Sequence, residues 1–240
     1  MNVLVTGVSK GLGLNIARAL LEKGHKVYGV SRTKTEDLEA EIVKSSGRLE
    51  WLPYDLENSE GVNKDVFKNW IGTKVALHGF VNNAAAAYDD IITNLNSEAL
   101  ERMYRINVFT PLVFTKYAIR NMLLHNISGS ILHISSISAH TGYKGLAMYA
   151  STKGALEAFS KNTAREWGEK GIRSNCVVAG FMDTEMSSSL SAEQKNRIYQ
   201  RTSLKKAVDV DSISQTIAFL LSDDAKSITG QNIHVDSGTI

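Results

Sequence analysis

The chain predicts an α/β fold, a doubly wound and mainly parallel seven-stranded sheet with helices on both faces. Three observations carry this. A glycine loop stands between a first strand and a first helix, further strand-sized apolar runs alternate with helical stretches, and the length and composition suit one core. With 240 residues, 43% hydrophobic and 22% charged, the chain buries that core as a single domain over residues 1–240. No internal repeat, low-complexity tract or linker divides it.

Residues 2–6, NVLVT, are a short β-branched run leading directly into GVSKGLG, after which LNIARALLEKG keeps helical periodicity up to Gly24. KVYGVS is the second strand. Strand, glycine loop, helix and strand occupy about thirty residues, the size of a βαβ crossover. In that context Gly7, Gly11 and Gly13 permit a tight turn, close approach of a pyrophosphate and close helix packing, and the helix start offers N–H groups to phosphate. Ser9, Lys10 and Leu12 of the same loop join them as candidate cofactor contacts.

The residues after the second strand bear on the cofactor. An NAD site usually has Asp or Glu there to accept the ribose 2′-OH, whereas NADP needs a cation for its 2′-phosphate. This chain has Ser31 and Arg32, with Lys10 as a second phosphate partner, so NADP(H) is expected in preference to NAD(H). Glu36 and Asp37 read as the start of the next helix, where acids suit the dipole.

Further strands are expected over 48–55, 76–83, 130–135, 172–178 and 231–236, mostly separated by helices. The least regular segment, from Gly180 to Lys206, is long and polar, and its part near 183–206 is expected to be a substrate lid; a surface excursion with a short helix fits the same residues.

The chemistry concentrates between Ser135 and Lys153. If a helix begins near Tyr149, the spacing of four puts the Tyr149 phenol and the Lys153 ammonium on one face, one turn apart. A tyrosine of ordinary pKa, about 10, is a poor proton relay at neutral pH, and a fixed cation lowers that value. Ser136 follows SILHIS at the carboxyl end of a strand, where α/β folds place ligands, and is expected to hold a carbonyl oxygen beside the phenol. Alone, the tyrosine–lysine pair also fits a surface helix, and the surrounding motifs decide between the two.

Several function classes are excluded by composition. With 27 basic and 25 acidic residues and a net charge of +2, nothing favours nucleic acid. The single Cys176 allows neither an internal disulfide nor a cysteine-rich zinc site, and in NCVVA it reads as packed. Six dispersed histidines lack ligand spacing, and no leader or membrane-length apolar run appears, so a soluble cytoplasmic protein without a metal is expected.

TGVSKGLG at 6–13, NNAA at 82–85, Asn107, Ser136, YASTK at 149–153 and AGFMDT at 179–184 together resemble the short-chain dehydrogenase/reductase family along essentially the whole chain. The resemblance implies a Rossmann fold and a tetrad of Asn107, Ser136, Tyr149 and Lys153. In it Tyr149 is the general acid in reduction and base in oxidation, and Ser136 holds the substrate oxygen. Lys153 binds the nicotinamide ribose and lowers the tyrosine pKa, and Asn107 holds a water of the proton relay. It also implies Asp55 and Leu56 beside the adenine, Asn83, Ala84 and Ala85 on the ribose side, and Gly180, Met182 and Thr184 toward the nicotinamide carboxamide. Two positions depart from the family pattern. Ala85 replaces a glycine, and Ala179 replaces a proline whose loss is expected to loosen entry into the lid.

Within the family, the GFMDTEM stretch and the ending AFLLSDDAKSITGQNIHVDSG look most like the 3-oxoacyl-acyl-carrier-protein reductases of fatty acid biosynthesis. That branch implies a homotetramer and an NADPH-dependent carbonyl reductase acting on a 3-oxoacyl thioester. Acyl carrier protein is a possible partner. Lys170 fits one basic docking position, but Ile127 stands where a second basic residue is usual. His140, Tyr143, Tyr88 and Met186 are candidates for the substrate pocket, with packing under the lid as the alternative for the aromatics and Met186. Two other functions stay open: a dehydrogenase of a sugar, polyol or other secondary alcohol, and a non-catalytic NADP-binding regulator.

Overall fold

Among the residues described by the computed structural model, which are all except 185, 186, 188 and 189, seven strands form one sheet in the order β3-β2-β1-β4-β5-β6-β7. They are β1 (Asn2–Thr6), β2 (Lys26–Ser31), β3 (Leu49–Pro53), β4 (Gly79–Asn82), β5 (Ser130–Ser136), β6 (Arg173–Ala179) and β7 (Asn232–Val235). Every neighbouring pair is parallel, so the sheet is wholly rather than mainly parallel. Helices α1 (Gly11–Glu22), α2 (Glu36–Lys44), α3 (Ser97–Tyr104), α4 (Thr110–Leu124), α5 (Ala147–Trp167), α6 (Ala192–Arg201) and α7 (Val210–Leu221) cover it.

Strand alternation sorts the core into two layers. Val3 and Val5 of β1 face a layer with Leu12, Ile16 and Leu20 of α1 and Ile213 and Ile217 of α7. Leu4, between them, points to the opposite layer, where Phe80 of β4 meets Phe114 and Ile119 of α4. Both faces of the central strands are therefore apolar, which is why NVLVT and SILHIS read as near-continuous hydrophobic runs.

Element boundaries follow local hydrogen bonding. β4 starts three residues later than the sequence pattern suggests because side-chain amides take the preceding backbone: Asn121 bonds both Leu77 N–H and the Val75 carbonyl, and Asn2 donates to the Ala76 carbonyl. The acids of α2 occupy its first turn as expected, and Thr35 caps it by accepting from Leu38 N–H at 3.3 Å. Between α3 and α4 the backbone widens over Arg105–Phe109, where Thr110 N–H bonds back five residues to Arg105. Widened turns of this kind are frequent at functional sites, and this one carries Asn107.

The strand order reverses between β1 and β4. The carboxyl ends of β1, β4, β5 and β6 open there into one crevice, the place where open α/β sheets hold their ligands.

Candidate active site

The crevice is a cavity of about 520 Å³, within the range of small-molecule and cofactor sites. Its floor is the glycine loop. A methyl group on Gly13 would lie 2.0 Å from the Gly7 carbonyl oxygen and 2.5 Å from Asn83 Nδ2, so α1 approaches the β1 turn too closely for any side chain. Gly11 differs: its φ is +55° and the space beside it is open for 4 Å. The start of α1 has no side-chain cap, in contrast to α2 and α6, and Gly11, Leu12 and Gly13 line the cavity. Uncapped N–H groups at a helix start beside an open glycine cradle suit a pyrophosphate, so the residues present fit a dinucleotide.

At the far end, Ser31 and Arg32 leave β2 into the cavity wall. Ser31 Oγ accepts from Trp51 Nε1 at 2.9 Å and donates to the Thr33 carbonyl at 3.0 Å, while Thr35 Oγ1 donates to the Ser9 carbonyl at 2.5 Å. The short loop holding Arg32 is thereby pinned to β3 at one end and to the glycine loop at the other. Lys34 is turned aside to Glu39, at 2.8 Å. Tyr54, Asp55 and Leu56, which come after β3, complete this end.

At the other end β5 and α5 bring Ser136, Tyr149 and Lys153 onto one wall. The Ser136 hydroxyl lies close enough to the Tyr149 phenol to lower its pKa. Lys153 Nζ lies 5.5 Å from the Tyr149 ring centroid and donates to the Ile134 carbonyl at 2.8 Å. Burial dominates the electrostatics. It pushes the Tyr149 phenol up to about 12, reinforced by the negative charge of Asp89 and opposed by the Ser136 hydroxyl, and it pushes the Lys153 ammonium down to about 8. The direction is opposite to the lowering expected from Lys153: burial raises the phenol, and the ammonium is directed at the Ile134 carbonyl instead.

Asn107 is buried and does not line the cavity. Its amide accepts from Ala86 N–H at 2.8 Å and donates to the Ala86 carbonyl at 2.8 Å and to Thr152 Oγ1 at 3.1 Å, tying the loop after β4 to α5. Gly180, Met182 and Thr184 line the cavity at the exit of β6, joined by Ser187. At that exit Ala179 is paired with Ser136 and Val235 in the ladder, and Gly180 N–H bonds the Val235 carbonyl at 3.0 Å. The expected lid region contains the short helix α6, closed by a Ser191–Gln194 capping box.

Three expected substrate-pocket residues lie elsewhere. His140 is drawn to Glu157, with Nε2 2.9 Å from Oε1, and Tyr143 is half-buried with its phenol raised by burial, near Arg201 and Asp236. Neither is among the described residues lining the cavity. Tyr88 is likewise outside it, bonded to Asn94 and Asn96. Met186 lies outside the described residues.

The arrangement of glycine cradle, helix start and serine–tyrosine–lysine wall agrees with comparisons to known proteins. A family model described as enoyl-(acyl carrier protein) reductase matches residues 7–239. Carbonyl reductase (NADPH) 2 of Sus scrofa is 32% identical over 99% of this chain and 96% of its own. The chain belongs to the short-chain dehydrogenase/reductase family. A 3-oxoacyl-(acyl-carrier-protein) reductase FabG of Staphylococcus aureus is also 32% identical, over 99% of this chain and 97% of its own. Among solved structures, a blue fluorescent protein from a metagenomic library in complex with NADPH superposes with a TM-score of 0.89 at 26% identity, covering 99% and 97% of the two chains.

As a short-chain dehydrogenase/reductase the protein is a nicotinamide-dependent oxidoreductase. Every residue expected from its sequence to touch the dinucleotide lines the cavity. Thr33, Tyr54, Ala86, Ile106, Ile134 and Ser187 also line the cavity and were not expected from the sequence. Tyr54 and Ala86 adjoin predicted contacts, and Ile134 alternates with the predicted Ser136 along β5, so proximity was the available signal for them. Ile106 had none.

Proposed function

We propose that the protein is an NADPH-dependent carbonyl reductase, with a 3-oxoacyl thioester as its substrate class. The observation that carries this is one cavity with Arg32 at one end and Ser136, Tyr149 and Lys153 together at the other. Support for NADP over NAD comes from Arg32 and Lys10 on the lining, against Asp55 as its one carboxylate among the described residues. Likeness to a FabG protein and to an NADPH carbonyl reductase supports reduction.

When bound, the nicotinamide supplies or accepts the hydride. The chain's own residues manage the oxygen. Ser136 and Tyr149 donate to the carbonyl oxygen as charge grows on it, and Tyr149 delivers the proton. A phenol whose pKa is about 12 is fully protonated at pH 7, the form that reduction requires, whereas oxidation needs the phenolate and an alkaline medium. Lys153 holds the nicotinamide ribose, and Asn107, by clamping Ala86 to α5, sets the relay beside it. The segment 183–206 with α6 serves as the lid. Homotetramer assembly and a cytoplasmic location complete the reading. Lys170 is the basic residue at which an acyl carrier protein would dock, and Ile127 withholds the second.

The test is NADPH and NADH oxidation against a 3-oxoacyl thioester, a diketone and a keto sugar, with Tyr149→Phe as control. Thioester turnover with NADPH that falls about 100- to 10,000-fold in the control, cofactor binding intact, is expected. Turnover confined to the diketone or keto sugar refutes the thioester assignment and leaves the reductase; no turnover with clear NADPH binding refutes the reductase.

A further inference from the structure

Tyr149, Lys153 and Glu157 recur every fourth residue along one face of α5. The first two belong to the site. Glu157 is a buried carboxylate, 8% exposed, that the proposed chemistry does not use. Its hydrogen bonds come from three elements: Oε1 accepts from the Ser135 hydroxyl of β5 and from His140 Nε2 at 2.9 Å, and Oε2 accepts from Asn232 Nδ2 of β7 at 2.8 Å. The carboxylate fixes the tautomer of His140, whose Nε2 must carry the donated proton.

Ser135 and His140 bracket Ser136. Immediately after Ser136 the chain makes a tight turn over Ile137–Ala139, in which Ser136 Oγ accepts from Ser138 N–H at 3.2 Å and from Ser138 Oγ at 3.0 Å. One turn before Glu157, Lys153 grips the Ile134 carbonyl. Helix α5 therefore holds the chain at Ile134, Ser135 and His140, on both sides of the hydroxyl expected to meet the substrate. A buried ion is weak support for stability, since an apolar side chain of similar size packs as well. Two of its three directional partners, Ser135 and His140, stand on either side of one functional hydroxyl and fit a role in geometry.

We propose that Glu157 is a positioning residue. Through Ser135 and His140 it fixes the turn that presents the Ser136 hydroxyl to the substrate oxygen. This rests on the reading of Ser136 as the group that holds that oxygen.

The test compares Glu157→Gln, Ser135→Ala, His140→Ala and the His140→Ala/Glu157→Gln double variant with Ser136→Ala, measuring kcat, KM and NADPH dissociation. Gln keeps one acceptor oxygen but loses the charge that strengthens the Ser135 and His140 bonds and sets an NH2 against Asn232 Nδ2, so Glu157→Gln lowers kcat by roughly 10- to 100-fold, the effect of a displacement near 1 Å, while NADPH affinity stays within about twofold. His140→Ala lowers kcat alone but adds nothing in the Glu157→Gln background, because both act through one contact. A Glu157→Gln enzyme with wild-type kcat overturns the proposal, as does an equal loss of kcat and NADPH affinity, the mark of a merely structural role. If Glu157→Gln does not fold, the partly exposed His140 decides, and an unchanged kcat in His140→Ala overturns it. Ser136→Ala separates the two levels: full turnover there sinks the reading of Ser136 and the proposal with it, whereas a dead Ser136→Ala beside an intact Glu157→Gln sinks the proposal alone.

Discussion

Lys153 donates its ammonium to the Ile134 carbonyl at 2.8 Å in a position only 2% exposed. One neutral acceptor does not replace the water the ammonium loses, so its pKa falls from 10.5 to about 8. Between those values the unfolded chain binds more protons than the folded one, and stability rises with pH. The penalty of burying the charge is fully present below pH 8. Tyr149 acts in a later window: its pKa rises from 10 to about 12, so its contribution to stability is lost as pH climbs from 10 to 12.

Lys153→Met removes the buried charge and the pH dependence with it. In urea denaturation the variant is expected to be the more stable protein at pH 7.5, and about 2 kcal/mol of that advantage disappears by pH 9.5. A difference that stays constant with pH would show that burial does not control this ammonium.

Gly13 and Gly11 predict opposite phenotypes from the same substitution. A methyl at Gly13 would sit 2.0 Å from a backbone oxygen that has no room to yield, so Gly13→Ala costs about 3 kcal/mol of stability. At Gly11 the penalty is the positive φ, about 1 kcal/mol, and the methyl occupies the open cradle instead. Gly11→Ala is expected to fold and to lose at least about tenfold in dinucleotide affinity. Denaturation and fluorescence titration check the pair; normal affinity in Gly11→Ala would remove the cradle from the phosphate site.

Those glycines were legible because backbone geometry leaves no other choice, and the wall of Ser136, Tyr149 and Lys153 was legible because α-helical periodicity projects every fourth residue to one side. Contacts set by tertiary packing left no periodic trace. His140 reads as a pocket residue, yet the buried Glu157, seventeen positions on, turns it away. Trp51 falls in the strand expected over 48–55, but that pattern does not show that its indole N–H reaches Ser31 on the neighbouring strand. The sign of the Tyr149 shift was equally hidden, since spacing shows that a cation is near but not how much water both groups lose.

The Trp51–Ser31 contact supports a graded prediction on cofactor choice. Arg32→Ala removes a charge-assisted contact to the 2′-phosphate and is expected to weaken NADPH about 30-fold while leaving NADH unchanged. Trp51→Phe keeps the ring but deletes the donor that fixes Ser31, releasing the Arg32 loop, so NADPH weakens several-fold and NADH again does not. Dissociation constants for both cofactors test this. Equal losses for NADPH and NADH in Arg32→Ala contradict the NADP preference, and an unaltered NADPH constant in Trp51→Phe limits the effect to Arg32 itself.

The proposed lid hangs on Asp183, which stands between the cavity-lining Met182 and Thr184. Asp183 Oδ1 accepts from Lys195 of α6 at 2.7 Å and Oδ2 from Tyr199 at 3.5 Å, and the Lys195 hydrogen bond holds its carboxyl below the usual range. An exposed pair adds little to global stability, but this one joins α6 to the cavity rim, where closure over a substrate sets turnover in many enzymes. Lys195→Ala is therefore expected to leave the melting midpoint in place and to raise KM for the ketone several-fold, with NADPH affinity unaffected. Salt offers an independent check, because near 1 M ionic strength the screening length falls to about 3 Å. Wild-type KM should rise with salt toward the Lys195→Ala value, and the variant should not respond. A parallel salt response in both proteins would place the screened interaction elsewhere.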